Sequence, residues 1–136
     1  FGPIPQEIQL RARAVAEIDT AFISSTIPGR TLGEVFSIAR DAYSNAGFPD
    51  QWQNLHQGGI AGYEPREFTA VPDSMEEIHA GQFLAWNPTL AGVKSEDTIF
   101  LGEGGVEIVT EIEGWPMLPI KGLDGKTYNR PAILQK

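Results

Sequence analysis

Two polar segments, Asn87-Pro88 and Glu96-Asp97, carry the side chains with the clearest chemical potential in this sequence. Asn87 follows the apolar run Gln82 to Trp86, and Glu96 opens a second apolar run that contains Ile99, Phe100 and Leu101. Runs of this composition are typical of β-strands, so one strand end and the next strand start would bring both segments to one place. Because side chains alternate along a strand, we expect Glu96 to point into that place and Asp97 to point away.

A second set of candidate residues surrounds a glycine-rich stretch with Gly58, Gly59 and Gly62. Arg66 could bind a carboxylate through two parallel hydrogen bonds, and His56 could transfer a proton as a general acid or base. The alternatives are a structural salt bridge for Arg66 and a histidine that only hydrogen-bonds the glycine-rich loop. The stretch is not a phosphate-binding loop, because no Lys-Ser or Lys-Thr follows it.

Composition excludes several classes of function. The chain has 136 residues, a formal net charge of -8 and two histidines, so we expect no nucleic-acid partner. No apolar run is long enough to span a bilayer, so we expect no membrane partner either. The sequence contains no cysteine, which excludes a disulfide framework and a thiolate ligand and fits a cytoplasmic location.

The elements that must position these residues are two helices followed by strands. Apolar residues recur at helical spacing after Pro5, and Pro28-Gly29 ends that helix. Thr31 and Glu34 have the spacing of a capping box for a second helix, which Gly47 and Pro49 terminate. This order predicts an α+β fold.

Strands are predicted at residues 68–71, 82–86, 98–101 and 106–110, with a hairpin turn at 102–105. Residues 51–67 are expected to be mostly irregular. Residues 114–136 are rich in Trp, Pro, Gly and Asn, and we expect them to form a C-terminal extension that is mostly loop, separate from the unit formed by residues 1–113.

Four motifs in order then point to a family: Pro28-Gly29, the stretch 56–67 that ends in Arg66-Glu67, the stretch 80–88, and Gly-Val-Lys-Ser-Glu-Asp-Thr at 92–98. This series resembles the C-terminal half of the pita-bread catalytic domain found in methionine aminopeptidase, aminopeptidase P (Xaa-Pro aminopeptidase), prolidase and creatinase. The resemblance covers about residues 5–113. It implies two helices followed by a curved antiparallel sheet.

The resemblance also implies where metal ligands would fall. Metallopeptidases of the family bind two metal ions through two Asp, one His and two Glu. The two Asp precede the segment seen here, the His position falls on Gly59, and the first Glu position is Asn87. Only Glu96 is retained, and one carboxylate does not hold a dinuclear site. We therefore expect no metal ion and no other cofactor.

Creatinase, by resemblance, offers a metal-independent alternative, because it has an Arg-Glu pair where this chain has Arg66-Glu67. The hypothesis is a hydrolase for a small amino-acid-like, guanidino or peptide substrate, with His56 and Glu96 as catalytic residues. Substrate binding would involve Arg66, Asn87, Glu67 and Tyr63. A non-catalytic ligand-binding module and a metallopeptidase with unusual ligands remain as alternatives.

The resemblance further implies that the chain is a fragment and that the N-terminal half of the same protein is its principal partner. The chain by itself is therefore expected to be inactive. A sheet left without that half would expose apolar surface, so we expect homo-oligomers.

Overall fold

The computed structural model describes residues 2–135, and its first two elements are the expected helices. Helix α1 spans Gln6–Ser25 and helix α2 spans Leu32–Asn45. The predicted capping box is present: the Glu34 amide donates to the Thr31 hydroxyl at 3.2 Å, and the Thr31 amide donates to the Glu34 carboxylate at 2.7 Å. A short 3₁₀ turn at Gln51–Asn54 follows.

Nine strands within residues 2–135 complete the fold. Their bounds are β1 Gly58–Ala61, β2 Phe68–Thr69, β3 Phe83–Trp86, β4 Thr89–Leu90, β5 Val93–Lys94, β6 Asp97–Gly102, β7 Gly105–Ile108, β8 Met117–Lys121 and β9 Thr127–Pro131. Five of them form one antiparallel sheet in the order β2-β1-β3-β6-β7, and the others form two separate hairpins, β4–β5 and β8–β9. The α+β architecture is thus confirmed.

The core lies between the helices and one face of the sheet. Phe22 of α1 stacks on Trp86 of β3 with ring centroids 4.7 Å apart, and both side chains are fully buried. The Trp86 indole N–H donates to the Thr26 hydroxyl at 3.0 Å. Stacking and a satisfied indole hydrogen bond hold the end of β3 against the helix.

The other face of the sheet is covered by no helix among residues 2–135. Phe83 and Phe100 lie on it as cross-strand partners, with ring centroids 5.0 Å apart, and Phe83 remains 44% exposed. This exposed pair agrees with the physical premise of the expected homo-oligomers, which stay a prediction.

Residues 51–67 are more regular than expected, because β1 runs through the glycine-rich stretch. Gly58 has φ +115°, and a Cβ on it would lie 2.1 Å from the Ala85 carbonyl oxygen of β3. Glycine here permits the close approach of two backbones. The glycine-rich composition of this stretch had indicated irregular structure, because glycine is generally depleted in β-strands.

The tail, residues 114–136, was expected to be mostly loop, and this expectation is wrong for its central part. Strands β8 and β9 pair as an antiparallel hairpin with Ile120 opposite Tyr128. The hairpin packs on α1, and Ile120 and Arg130 are buried. The turn-forming residues of the tail hid a short alternation of exposed and buried side chains in β9. The buried side chain there is the charged Arg130, and its partners are far away in the sequence.

Arg130 is the centre of a buried charge cluster. Its guanidinium binds the carboxylate of Asp19 on α1 at 2.8 Å and the carboxylate of Asp97 on β6. The Ser95 hydroxyl donates to Asp19, and the Thr110 hydroxyl donates to Asp97, each at 2.5 Å. One cation thereby joins the first helix, the main sheet and the tail.

Replacing Arg130 with methionine is expected to destabilise the chain by about 3–5 kcal/mol, because two carboxylates would remain buried without a cation. The matched change Arg13→Met removes an exposed ion pair to Glu17 and should cost less than about 1 kcal/mol. Urea denaturation measures both. A loss no larger for Arg130→Met than for Arg13→Met would contradict this role.

Asp19 should make stability depend on pH. Its burial raises the pKa to about 6 from 3.8, against the opposing charge of Arg130. Between these values the folded chain binds the proton more strongly than the unfolded chain. The resulting stabilisation, up to about 3 kcal/mol, is complete below the unfolded pKa and is lost as the pH rises through 6.

We therefore expect the free energy of unfolding of the unmodified chain to fall between pH 4 and 6 relative to that of Asp19→Asn, which has no titrating group at this position. Urea denaturation of both proteins across this range gives the difference. Parallel curves for the two proteins would show that the Asp19 carboxyl does not titrate in this way.

Candidate functional site

The open face of the sheet collects the side chains at the ends of β3 and β6. Trp86 and Asp97 are cross-strand partners, and both point toward α1. Alternation therefore sends Asn87 and Glu96 to the opposite, open face. The sequence prediction for Glu96 and Asp97 agrees with this geometry.

Arg66 reaches Asn87 and Glu96 from the loop that follows β1. Its Nη2 lies 3.2 Å from Asn87 Oδ1 and 3.3 Å from Glu96 Oε1. The Lys94 ammonium lies 2.6 Å from the other Glu96 oxygen. We call these four residues, Arg66, Asn87, Lys94 and Glu96, the Arg66 cluster.

Charge in the Arg66 cluster is unbalanced, because two cations share one carboxylate. Partial burial acts to raise the pKa of Glu96, but Lys94 and Arg66 outweigh it and hold the pKa below its ordinary value. Glu96 is therefore ionised at neutral pH, and two cationic side chains beside one carboxylate give the cluster a formal net charge of about +1. The Arg66 side chain is 15% exposed, and its Nε is buried without a partner among residues 2–135.

Asn87 is held by the segment that contains His56. The Asn87 amide nitrogen donates to the His56 carbonyl at 2.8 Å, and the Asn87 backbone N–H donates to the Gln57 carbonyl at 3.0 Å. The Asn87 side-chain oxygen accepts a hydrogen bond from Arg66, so both polar atoms of the side chain are hydrogen-bonded. Asn87 thereby links Arg66 to the backbone of His56 and holds that backbone beside the cluster.

Two residues that sequence reasoning missed support this segment. Gln57 is buried, and its side-chain oxygen accepts a hydrogen bond from the Tyr43 hydroxyl at 2.7 Å. Tyr43 in turn accepts from the Thr89 amide at 3.0 Å. A single polar residue beside glycines gives no periodic signal, so only the tertiary contacts reveal its role.

Other predicted site residues lie outside the Arg66 cluster. The His56 side chain is exposed, and Tyr63 is fully exposed at the turn after β1. The Glu67 carboxylate accepts a hydrogen bond from the Tyr63 amide at 3.0 Å, so it shapes that turn. The assignment of His56, Tyr63 and Glu67 to catalysis or substrate binding stays a prediction.

The residues that this chain contributes do not fit the metal site implied by the resemblance. At Gly59, where a histidine ligand would be needed, φ is +151° and a Cβ would lie 1.9 Å from the Phe68 carbonyl oxygen. Asn87 and Glu96 are engaged by Arg66. Across residues 2–135 no three His, Cys, Asp or Glu side chains come together as a metal-ion site.

The part of the chain that the structure describes also contains no helix with both the length and the apolar character needed to cross a bilayer.

Comparison with known proteins places this geometry in context. No family model matches the chain. An uncharacterized peptidase of Staphylococcus epidermidis is 31% identical over 120 residues, which cover 83% of this chain and 34% of the relative. The chain thus spans about a third of the length of that relative.

Solved structures agree on the fold. A dipeptidase from Pyrococcus horikoshii superimposes with a TM-score of 0.73 at 22% identity, covering 83% of this chain and 33% of that one. Prolidase from Pyrococcus furiosus gives a TM-score of 0.69 at 24% identity, with coverage of 82% and 34%. The chain therefore resembles, in sequence and in fold, the C-terminal part of the pita-bread domain of the Xaa-Pro peptidases.

Proposed function

We propose that this chain is the substrate-binding part of a metal-independent, hydrolase-type pita-bread domain. In this proposal the Arg66 cluster binds the carboxylate of a small amino-acid-like or peptide substrate. The observation that carries the proposal is the pairing of two cations, Arg66 and Lys94, with the single carboxylate of Glu96.

Electrostatics favour an anionic group at this point of the surface. The chain as a whole has a formal net charge of -8, so a local excess of positive charge is unusual in it. Glu96 neutralises one of the two cations, and the Lys94 side chain, which is 43% exposed, is accessible to a ligand. A carboxylate would neutralise the second cation and accept charge-assisted hydrogen bonds.

Glu96 has a supporting role in this proposal. Its ionised carboxylate binds the Arg66 guanidinium through one oxygen and the Lys94 ammonium through the other, so it holds the two cations close together. Any proton transfer would fall to His56, whose backbone lies beside the cluster through Asn87. The names of the relatives, dipeptidase, prolidase and peptidase, support a C–N bond as the bond cleaved.

A non-catalytic ligand-binding module is the second candidate. One observation favours it: among residues 2–135 the His56 ring has no hydrogen-bond partner that would fix its orientation, as catalytic histidines usually require. A metallopeptidase with unusual ligands finds no support in the donor set, because Gly59 leaves no room for a side chain.

Replacing Arg66 with glutamine should weaken binding of a dipeptide such as glycylproline by about 10- to 100-fold in the full-length protein that contains this chain, because charge-assisted hydrogen bonds are lost. Isothermal titration measures the affinity. The C-terminal amide of the same dipeptide should bind the unmodified protein as weakly as the acid binds the variant. Arg13→Gln, an equal charge change on α1, is the control and should have no effect.

Equal affinity for the acid and the amide, or no change on Arg66→Gln, would show that the cluster does not bind the carboxylate.

Chelation is expected to leave the function of the full-length protein intact. Because the residues supplied here do not fit metal ions, turnover of any substrate in a dipeptide and amidine panel should persist in excess EDTA. Thermal denaturation of this chain should likewise be unaffected by Mn²⁺ or Zn²⁺, since a ligand stabilises only what it binds. Activity abolished by EDTA and restored by Mn²⁺ would rule out the metal-independent mechanism.

A further inference from the structure

A cavity of about 230 Å³ lies between the β6–β7 hairpin and the hairpin of the tail. We call it the tail pocket. Its walls are largely apolar, with Ile108 and Ile112 on one side and Trp115, Met117 and Pro131 of the tail on the other. The volume is below the range for drug-sized ligands, so the tail pocket suits a small molecule with an apolar body.

The polar part of the lining is acidic, because three carboxylates and no Lys, Arg or His line the cavity. Two of them already form ion pairs: Asp97 with Arg130, and Glu96 with the cations of the Arg66 cluster. The third, Glu111, forms no hydrogen bond through its side chain and no ion pair with any residue from 2 to 135. One carboxylate is thus available to a ligand.

Trp115 lines the same cavity as this carboxylate. Its indole N–H donates to the Ala132 carbonyl at 2.9 Å, and the residue is exposed, so the ring is accessible to a ligand. An oriented indole attracts cations through its ring quadrupole and offers a broad apolar contact. The ring and Glu111 therefore favour the same chemistry: a positive charge attached to an apolar group.

We propose that the tail pocket binds a small organic ammonium ion with an aromatic or branched apolar body. Glu111 pairs with the ammonium group, Trp115 contacts it through the ring, and Ile108, Ile112 and Met117 surround the apolar body. Arg66 does not line the tail pocket, although its partner Glu96 does. Most of one wall comes from the tail, outside the segment that the family motifs cover.

The test compares benzylammonium with benzyl alcohol, which has nearly the same shape and no charge. Both are titrated into the full 136-residue chain, with the Trp115 indole N–H resonance as the local probe in NMR spectra. We expect benzylammonium to shift this resonance saturably. We also expect the alcohol to bind more weakly by about fivefold, the size of one partly exposed charge interaction.

Variants separate a specific site from the general attraction of a cation to an acidic protein. Glu111→Gln should weaken benzylammonium binding by about threefold to fivefold and leave benzyl alcohol unchanged. Glu113→Gln removes an equal charge from an exposed residue that does not line the cavity, and it should change neither affinity.

Equal losses in Glu111→Gln and Glu113→Gln, or equal affinities for the two ligands, would overturn the proposal, since either result indicates non-specific attraction. The Arg66→Gln variant should retain benzylammonium binding, so failure of the carboxylate site and failure of the tail pocket give different results.

Discussion

The buried guanidinium of Arg130 is the interaction on which the arrangement of this chain depends. Arg130 lies in the tail and binds Asp19 on α1, which is 111 positions earlier in the sequence. It also binds Asp97 on β6. One cation does not neutralise two buried carboxylates. Hydrogen bonds from the Ser95 hydroxyl to Asp19 and from the Thr110 hydroxyl to Asp97 stabilise the remaining negative charge. Burial nevertheless raises the pKa of Asp19 to about 6, because desolvation of the ionised carboxylate outweighs the stabilisation by Arg130 and Ser95.

This buried cluster sets the geometry of the open face. Because Asp97 is drawn inward to Arg130, its neighbour Glu96 must point outward. Trp86 is held inward by its stack on Phe22, so Asn87 must also point outward. The residues that form the Arg66 cluster are thus oriented by contacts on the opposite side of the sheet, and the tail takes part in that orientation although it lies outside the family motifs.

How far the sequence alone could predict this structure depended on the range of the contacts. The helices, the Thr31–Glu34 capping box and the β6–β7 hairpin rest on local spacing, and the structure agrees with them. Strand β1 was missed because its glycines are required by tertiary contacts: a Cβ on Gly58 would clash with the backbone of β3, and a Cβ on Gly59 would clash with that of β2. The tail hairpin was missed for a related reason: nothing near Arg130 in sequence indicates that its partners are Asp19 and Asp97.

For the candidate site, the sequence could indicate which residues are present but not which of them meet. Arg66, Asn87 and Glu96 lie together. Tyr63 and Glu67 are much closer to Arg66 in sequence, yet they form a separate turn. The supporting contacts of Gln57 and Tyr43 could not be read from any motif, because they join a residue of α2, the residue before β1 and the first residue of β4.

In the proposed function a side-chain cation takes the place of metal ions, and this difference would determine the chemistry open to the site. A metal ion can polarise a bound water into a nucleophile, whereas a guanidinium has no vacant coordination position and carries a single delocalised charge. Its strength is directional: fixed donors recognise a planar anion. Gly59 excludes a ligand side chain and Glu96 is held by Arg66. In the proposed function this face would therefore bind and orient a substrate, and another group would activate the nucleophile.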